Sequence, residues 1–294
     1  MFGMSRQSFY QRKDNFFERE SYKTLIIEFV RDQRSNMPRI GCFKLYEKAR
    51  IFFADHLPLG RDAFFSILRE HGLMLRIKRT YRARTTDSDH PYGYHQDLLK
   101  ASGFRPMTPC RLWVSDITYI PLGNGIRKFC YLSLITDAYS RKIVGWQLAE
   151  TLQYKHTEKA LRQAMQQERA LGFDLTGMIH HSDRGVQYAY PEYVKLLKQA
   201  NCLVSMTQTG DPLDNAMAER VNGILKTEWL NMYRFTSIKQ VRAVLNKVIY
   251  LYNNERPHMG INMRIPNQLH LEKKNKSKSN LDIKKQFNSF VNYK

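Results

Sequence analysis

The chain has 294 residues, of which 43% are hydrophobic and 25% charged, with a formal net charge of +20. That apolar content is enough for a packed core and excludes a disordered protein, and the length allows one large domain or two to three small ones. The charge is uneven: residues 1–113 carry +9, residues 114–235 carry +2 and residues 236–294 carry +9, so two basic flanks that fit a polyanion such as nucleic acid enclose a nearly neutral middle.

In chain order, Ser5 reads as an N-cap for a short polar-aromatic helix. "SYKTLIIEFVRDQRS" spaces Leu25, Ile26, Phe29 and Val30 as a helix does. "CFKLYEKARIFFADH" and "GRDAFFSILREHGL" predict two further helices, with Pro58 and Gly60 between them and Gly72 as a stop. Two short helices with a tight break fit a helix-turn-helix or an ordinary helical hairpin. The basic run that follows favours DNA, with Arg76, Lys78, Arg79, Arg82 and Arg84 placed to track a phosphate backbone. The helix starting near Arg61 is the expected groove reader.

Residues 1–85 are thus expected to form a helical DNA-binding region and residues 86–111 a polar linker. "LWVSDITYIPL", "KFCYLSLITDAYS" and "KIVGWQLAE" then read as three strands in hairpin succession. A helix, a short strand at "GMIHHSD", a helix with Pro191 near its start, a strand at "CLVSMTQT" and a long helix from about Asn215 to Tyr233 complete the order. Hairpin strands followed by alternating helices and strands imply a mixed sheet flanked by helices. Residues 271–294 form a low-complexity basic tail. Cys42, Cys110, Cys130 and Cys202 make no C-x-x-C pair and no zinc spacing, and read as reduced thiols of a cytosolic protein. No signal peptide and no apolar run of about 18 residues is present, so no membrane is expected.

Three acids sit where apolar elements should be buried. Asp116 lies between Val114 and Ile117, Asp183 follows Met178 and Ile179, and Glu219 lies early in the last helix. Any one alone is more often a solvated surface group. Together, inside buried elements, they need pairing or a cation, and converging carboxylates suit hard divalent ions. Glu219, Asn222, Gly223 and Lys226 share one stripe of their helix. A carboxylate for metal and a cation for phosphate on one face is what a phosphodiester enzyme needs.

"W-x-x-D-I-T-Y-I", "L-I-T-D-x-Y-S-R-x-I-V-G-W", "H-S-D-R-G-V-Q-Y", "D-N-A-x-A-E" with Lys226 seven residues on, and "Y-N-N-E-R-P-H" occur in this order. Over about residues 38–270 the chain resembles the DDE transposases of bacterial insertion sequences, OrfB type of the IS-three family, related to retroviral integrases. The resemblance implies a ribonuclease-H-like fold, a mixed five-stranded sheet flanked by helices, in a catalytic domain at 112–270. It maps the family's three acids, catalytic and metal-holding, onto Asp116, Asp183 and Glu219. It implies two Mg²⁺ or Mn²⁺ ions, end cleavage and 3′-OH strand transfer on double-stranded DNA, action as a homo-oligomer on DNA, and a nucleoid-associated place in a bacterial cytoplasm. The resemblance also implies an upstream OrfA-type partner or fusion with its own coiled coil, and no heptad run of that kind is present in this sequence. The zinc module of retroviral integrases is absent from the sequence.

Arg184, Gln187, Asn222, Lys226 and Arg256 are candidate DNA contacts beside the centre, although a turn locking the last helix explains Arg256 and His258 slightly better. Tyr188 fits a core residue or a base-stacking one equally. His180 and His181 are expected to support the site rather than ligate metal. A tyrosine recombinase would use His181 and Arg184 but leaves the acids unexplained, as does a non-catalytic repressor or decayed transposase.

Overall fold

The computed structural model describes residues 6–54, 57, 59–75, 91–123, 128–208 and 215–272, with side chains from Glu20 onward. Ser5, Pro58, the basic run from Arg76 to Arg84 and the tail from residue 273 lie outside the described residues. Two compact units divide between Thr80 and Tyr81.

The first unit is helical: α1 (Arg6–Asn36), α2 (Cys42–Phe53) and α3 (Arg61–Glu70). The two separate N-terminal helices expected from the sequence are one 31-residue helix. No Pro or Gly interrupts that stretch, so nothing in it breaks the backbone ladder. Ile26, Val30, Ile40, Leu45, Phe64 and Leu68 are fully buried and bring the three helices together. α3 stops as expected: Gly72 takes φ +65° and Leu73 N–H donates to Leu68 O at 2.7 Å.

The second unit carries the sheet. Its strands are β1 (Leu112–Leu122), β2 (Lys128–Asp137), β3 (Ile143–Ala149), β4 (Ile179–Ser182) and β5 (Leu203–Met206). Their spatial order is β3-β2-β1-β4-β5. β1, β2 and β3 pair antiparallel as a meander, whereas β4 runs parallel to β1 and β5 parallel to β4. Parallel neighbours need crossovers, supplied by α5 (Tyr154–Ala170) and by the α6 (Val186–Ala189)–α7 (Pro191–Gln199) pair. This mixed five-stranded sheet with helices on its faces has the ribonuclease-H-like topology.

The two faces of β1 separate by alternation. Trp113 faces a core shared with Leu161, Met165, Tyr193 and Leu197 of α5 and α7. Leu112 and Val114 face the other way, onto Ala218 of α8 (Ala216–Glu228). β3 must approach α5 closely. A Cβ on Gly145 would lie 2.4 Å from Ala160 O and 2.8 Å from the Ala164 Cβ, so that position has no room for a side chain.

Further elements, in this unit, differ from expectation. The predicted 86–111 linker contains α4 (Leu98–Ser102), N-capped by the Asp97 side chain, which accepts from the Leu99 and Lys100 N–H groups. Leu98 and Leu99 pack against the α8-side core, which ties this segment to the sheet. The last predicted helix is shorter: α8 ends at Glu228, and a 3₁₀ turn, Leu230–Met232, follows a buried Trp229 whose backbone leaves helical geometry. Finally, α9 (Ile238–Asn254) was not singled out in the sequence, although Ser237 caps it and Val241, Leu245, Val248 and Tyr252 form a buried stripe.

α9 closes the sheet edge. The Asn253 carboxamide accepts from Ile143 N–H and donates to Ile143 C=O, both at 2.9 Å, and Arg242 donates to Leu148 C=O at 2.9 Å. An open strand edge is thereby paired by side chains. Among the described residues no helix is long and apolar enough to cross a membrane.

Candidate catalytic site

The site is built where the parallel pairing of β1 and β4 ends. Ser115 of β1 lies opposite Ser182 of β4. Asp116 and Asp183 are the next residue on each, and adjacent strands run about 4.8 Å apart. Ser115 turns inward, where its hydroxyl meets His180 Nε2 at 2.8 Å. Alternation therefore sends Asp116 to the α8 face.

Two asparagines fix α8 against β1 there. Asn215, at the N-cap, donates to Ser115 C=O at 3.0 Å. Asn222 donates to Asp116 Oδ2 at 2.8 Å. Glu219 lies between them, one helical turn before Asn222, so it shares the face turned toward Asp116. Asp183 is held by its own turn, where its Oδ1 accepts Gly185 N–H at 3.0 Å.

The carboxylates act on each other. Burial pushes Asp116 up to about 7, the Asp183 charge pushes the same way, and Glu219 adds a smaller push. The Asn222 and Ile117 hydrogen bonds pull it down and do not prevail. A buried carboxyl whose acidic neighbours oppose its ionisation is a donor that suits a cation. Among the described residues, two buried polar atoms nearby have no hydrogen-bond partner, Asn222 Oδ1 and Tyr188 Oη.

The histidines are bonded within the fold. His180 Nε2 lies between Ser115 Oγ and Tyr193 Oη at 2.8 and 2.9 Å, and His181 Nδ1 lies 2.9 Å from Ser205 Oγ. Burial holds His180 far down, at about 3, so it is neutral. The buried and bonded His181 cannot serve the tyrosine-recombinase pattern. Tyr188 is a core residue, 2% exposed and packed in the α5–α7 cluster, rather than a surface stacking group.

The candidate DNA contacts divide. Arg61 opens α3 on an exposed surface, paired with its neighbour Asp62. Lys226 sits half-buried in the last turn of α8. Arg184 donates to Thr207 C=O at 2.7 Å and lies over the Tyr94 ring. The Gln187 amide donates to Leu152 C=O at 3.0 Å. Asn222 is a buried support for Asp116 and does not reach the surface. Arg256 is corrected as well: it is 2% exposed, and its guanidinium forks onto Glu228 at 2.6 and 2.7 Å. A buried bidentate pair leaves it no face for DNA. His258 is buried beside it, and its Nδ1 accepts Gly260 N–H. The "Y-N-N-E-R-P-H" stretch is a fastening of α9.

Family models described as "Integrase core domain" match residues 106–212 and 200–266. The chain is 35% identical over 201 residues to an insertion element IS600 protein of Shigella sonnei, covering 68% of this chain and 71% of that one. It is 34% identical over 239 residues to the transposase of insertion sequence element IS904 from Lactococcus lactis, covering 76% of this chain and 91% of the relative. The chain belongs to the insertion-sequence transposases with an integrase core. Transposase InsF of insertion sequence IS3A from Escherichia coli K12 is also similar, at 28% identity over 260 residues, 86% of this chain and 80% of that one. The transposase is thus a polynucleotidyl transferase, and its Asp116 and Asp183 fall within the first matched segment and its Glu219 within the second.

Proposed function

We propose that this transposase cuts the ends of its insertion element and joins the freed 3′-OH to target DNA at a centre formed by Asp116, Asp183 and Glu219. The observation that carries the reading is Asp116, held by Asn222 on the α8 face and pushed up to about 7 by burial and by its two acidic neighbours. All the candidate ligands are oxygens, which suits Mg²⁺ or Mn²⁺ rather than a softer metal. The mutual repulsion of the acids and the unpartnered Asn222 Oδ1 also fit a cation with its water shell.

Bound ions, two by the usual arrangement for phosphodiester transfer, supply an activated attacking oxygen and charge stabilisation at phosphorus. The protein's own work is placement. Asp116 and Asp183 are fixed by strand register, and Glu219 by the two asparagine anchors of α8. In the first step water adds to an end phosphodiester and the 3′ oxygen leaves with a proton as the 3′-OH. In the second, that 3′-OH attacks a target phosphodiester and displaces a new 3′-OH. Lys226, on the Glu219 stripe, is placed to hold a non-bridging phosphate oxygen.

The helical first unit is read as the binder of element ends, with Arg61 on its exposed face, in a homo-oligomer assembled on DNA beside an OrfA-type partner in the bacterial cytoplasm. A repressor would have no use for the crowded acids. The test is nicking of end-labelled duplex with and without Mg²⁺. Asp183→Asn and Glu219→Gln are expected to lower cleavage by at least about a thousandfold, as loss of electrostatic stabilisation does, while DNA binding stays within about threefold. Metal-independent cleavage, or cleavage unchanged in both variants, refutes the reading.

A further inference from the structure

An open cleft of about 820 Å³ lies in the second unit, lined by Tyr92, Tyr94, His95, Val194, Lys195 and Lys198 among others. Its size is in the range of clefts that bury a small organic ligand, which leaves room for a base with its sugar and phosphate. Its chemistry is aromatic and cationic, and no acid lines it among the described residues. Tyr94 is 47% exposed, an unusual cost for so large a ring. Tyr92 is fixed from behind: it meets Tyr190 edge-on at 5.2 Å, and Tyr190 stacks on Tyr154 at 3.7 Å. The cleft therefore has one braced ring and one exposed ring. Burial and the Lys198 charge hold His95 below its ordinary range, so at neutral pH it offers an uncharged imidazole to a base edge.

The cleft is joined to the proposed catalytic centre by one residue. Arg184 follows Asp183 directly, and its guanidinium lies 4.6 Å from the centre of the Tyr94 ring. A strand leaving Asp183 would meet Arg184, then Tyr94, then Lys195 and Lys198 on α7. Aromatic faces with cations spaced along them are what single-stranded DNA needs, stacking for bases and charge for phosphates. A paired duplex presents neither a free base face nor a strand narrow enough to enter.

We propose that this cleft receives an unpaired nucleotide of the element-end strand, stacked on Tyr94 and held through its phosphate by Lys195 and Lys198, so that the duplex is frayed next to the catalytic acids. The inference rests on the catalytic reading given above and adds the form of DNA that the site takes.

The experiment uses the full chain and two mixed-sequence duplexes, one blunt and one with a short unpaired 3′ end carrying 2-aminopurine. Wild-type protein is expected to bind the frayed duplex more tightly and to change the 2-aminopurine emission. Tyr94→Ala should weaken frayed-duplex binding by about 5- to 100-fold, the range of one lost base stack, and leave blunt-duplex binding within about twofold. Tyr94→Phe keeps the ring and should keep the preference. Lys195→Ala with Lys198→Ala should lower the salt dependence of frayed-duplex binding by about one to two units of slope. A wild type without preference or emission change, a Tyr94→Ala variant that binds frayed DNA normally, or a Tyr94→Phe variant that loses the preference overturns the proposal. So does deoxyadenosine monophosphate competing as strongly as the frayed duplex, because the cleft would then serve a free nucleotide. Any of these in a protein that still nicks DNA with Mg²⁺ defeats the cleft alone. Absence of metal-dependent nicking in the wild type defeats the catalytic reading and this one with it.

Discussion

Asn222 shows how one residue supports another in the site. The hydrogen bond its side-chain amide donates to Asp116 pulls that carboxyl down, against burial and the neighbouring charges. Asn222→Ala should therefore raise Asp116 further, leave less of it ionised at any given pH, and move the rising limb of the pH–rate profile for Mg²⁺-dependent nicking to higher pH. A drop of about 10- to 100-fold at neutral pH is expected, as for other supports of metal ligands. An unmoved profile would show that the bond does not control Asp116. The same carboxyl costs stability. Its folded value of about 7 lies above its ordinary value, so its contribution is fully present at acidic pH and is lost as pH rises through about 7 in metal-free protein. Asp116→Asn should thus melt several degrees higher than wild type at pH 8 without metal and show no such gain at pH 4. Equal melting temperatures at pH 8 would contradict the strain assigned to the crowded acids.

At the scale of elements, α9 shows how the residues of a family motif can serve the fold. Asn253 completes both backbone groups of Ile143, and Asn254 accepts from the Asn267 side chain at 2.9 Å. Arg256 next to them closes on Glu228 at the end of α8. Asn253→Ala would leave a donor and an acceptor of β3 unpaired at the sheet edge. The expected loss is about 2–4 kcal/mol in urea unfolding, from two unsatisfied backbone groups at roughly 1–2 kcal/mol each. A loss below about 0.5 kcal/mol would mean that water replaces the carboxamide without cost. The motif was legible as a string. A turn locking the last helix was legible too; the strand it fastens was not, because Ile143 lies 110 residues from Asn253.

Over the whole second unit, a buried polar cluster joins distant segments. His270 Nε2 lies 2.7 Å from Glu168 Oε2 on α5, and its Nδ1 lies 2.8 Å from Ser140 Oγ in the β2–β3 turn. Lys142 pairs with Glu168 Oε1 at 2.9 Å, and Asp137 accepts from Cys110 N–H at 2.7 Å. Cys110, Glu168 and His270 could be taken for a metal site by their closeness. The Lys142 ammonium already neutralises Glu168, so the cluster reads as an ion network. Hydrogen bonds and charge from Asp137 and Glu168 hold His270 above its ordinary range despite burial, and His270 and Lys142 hold Glu168 below its own. The His270 contribution is full below about 6.5 and is lost as pH rises through its folded value; the Glu168 contribution is full above about 4.5 and is lost as pH falls through its folded value. The melting-temperature deficit of His270→Ala should therefore be largest between about pH 4.5 and 6.5 and shrink in alkali. A deficit that grows with pH would rule out a charged His270.

The sequence by itself determined most of the local elements and which acids are candidates for the proposed centre. Alternation in β1, the cap and stop residues of the helices, and three acids in apolar surroundings are carried by neighbours along the chain, where period and burial can be read directly. The tertiary structure alone decided which polar residues face a partner. Asn222 shares a helical stripe with Lys226, yet only the packing of α8 on β1 turns it to Asp116. Arg256 reads as a DNA contact or as part of a structural turn until Glu228 is brought to it from 28 residues away. Tyr94 and Lys195 line one cleft only because the segment after the first unit folds back beside α7. Such pairings depend on contacts far apart in sequence, and no local period encodes them.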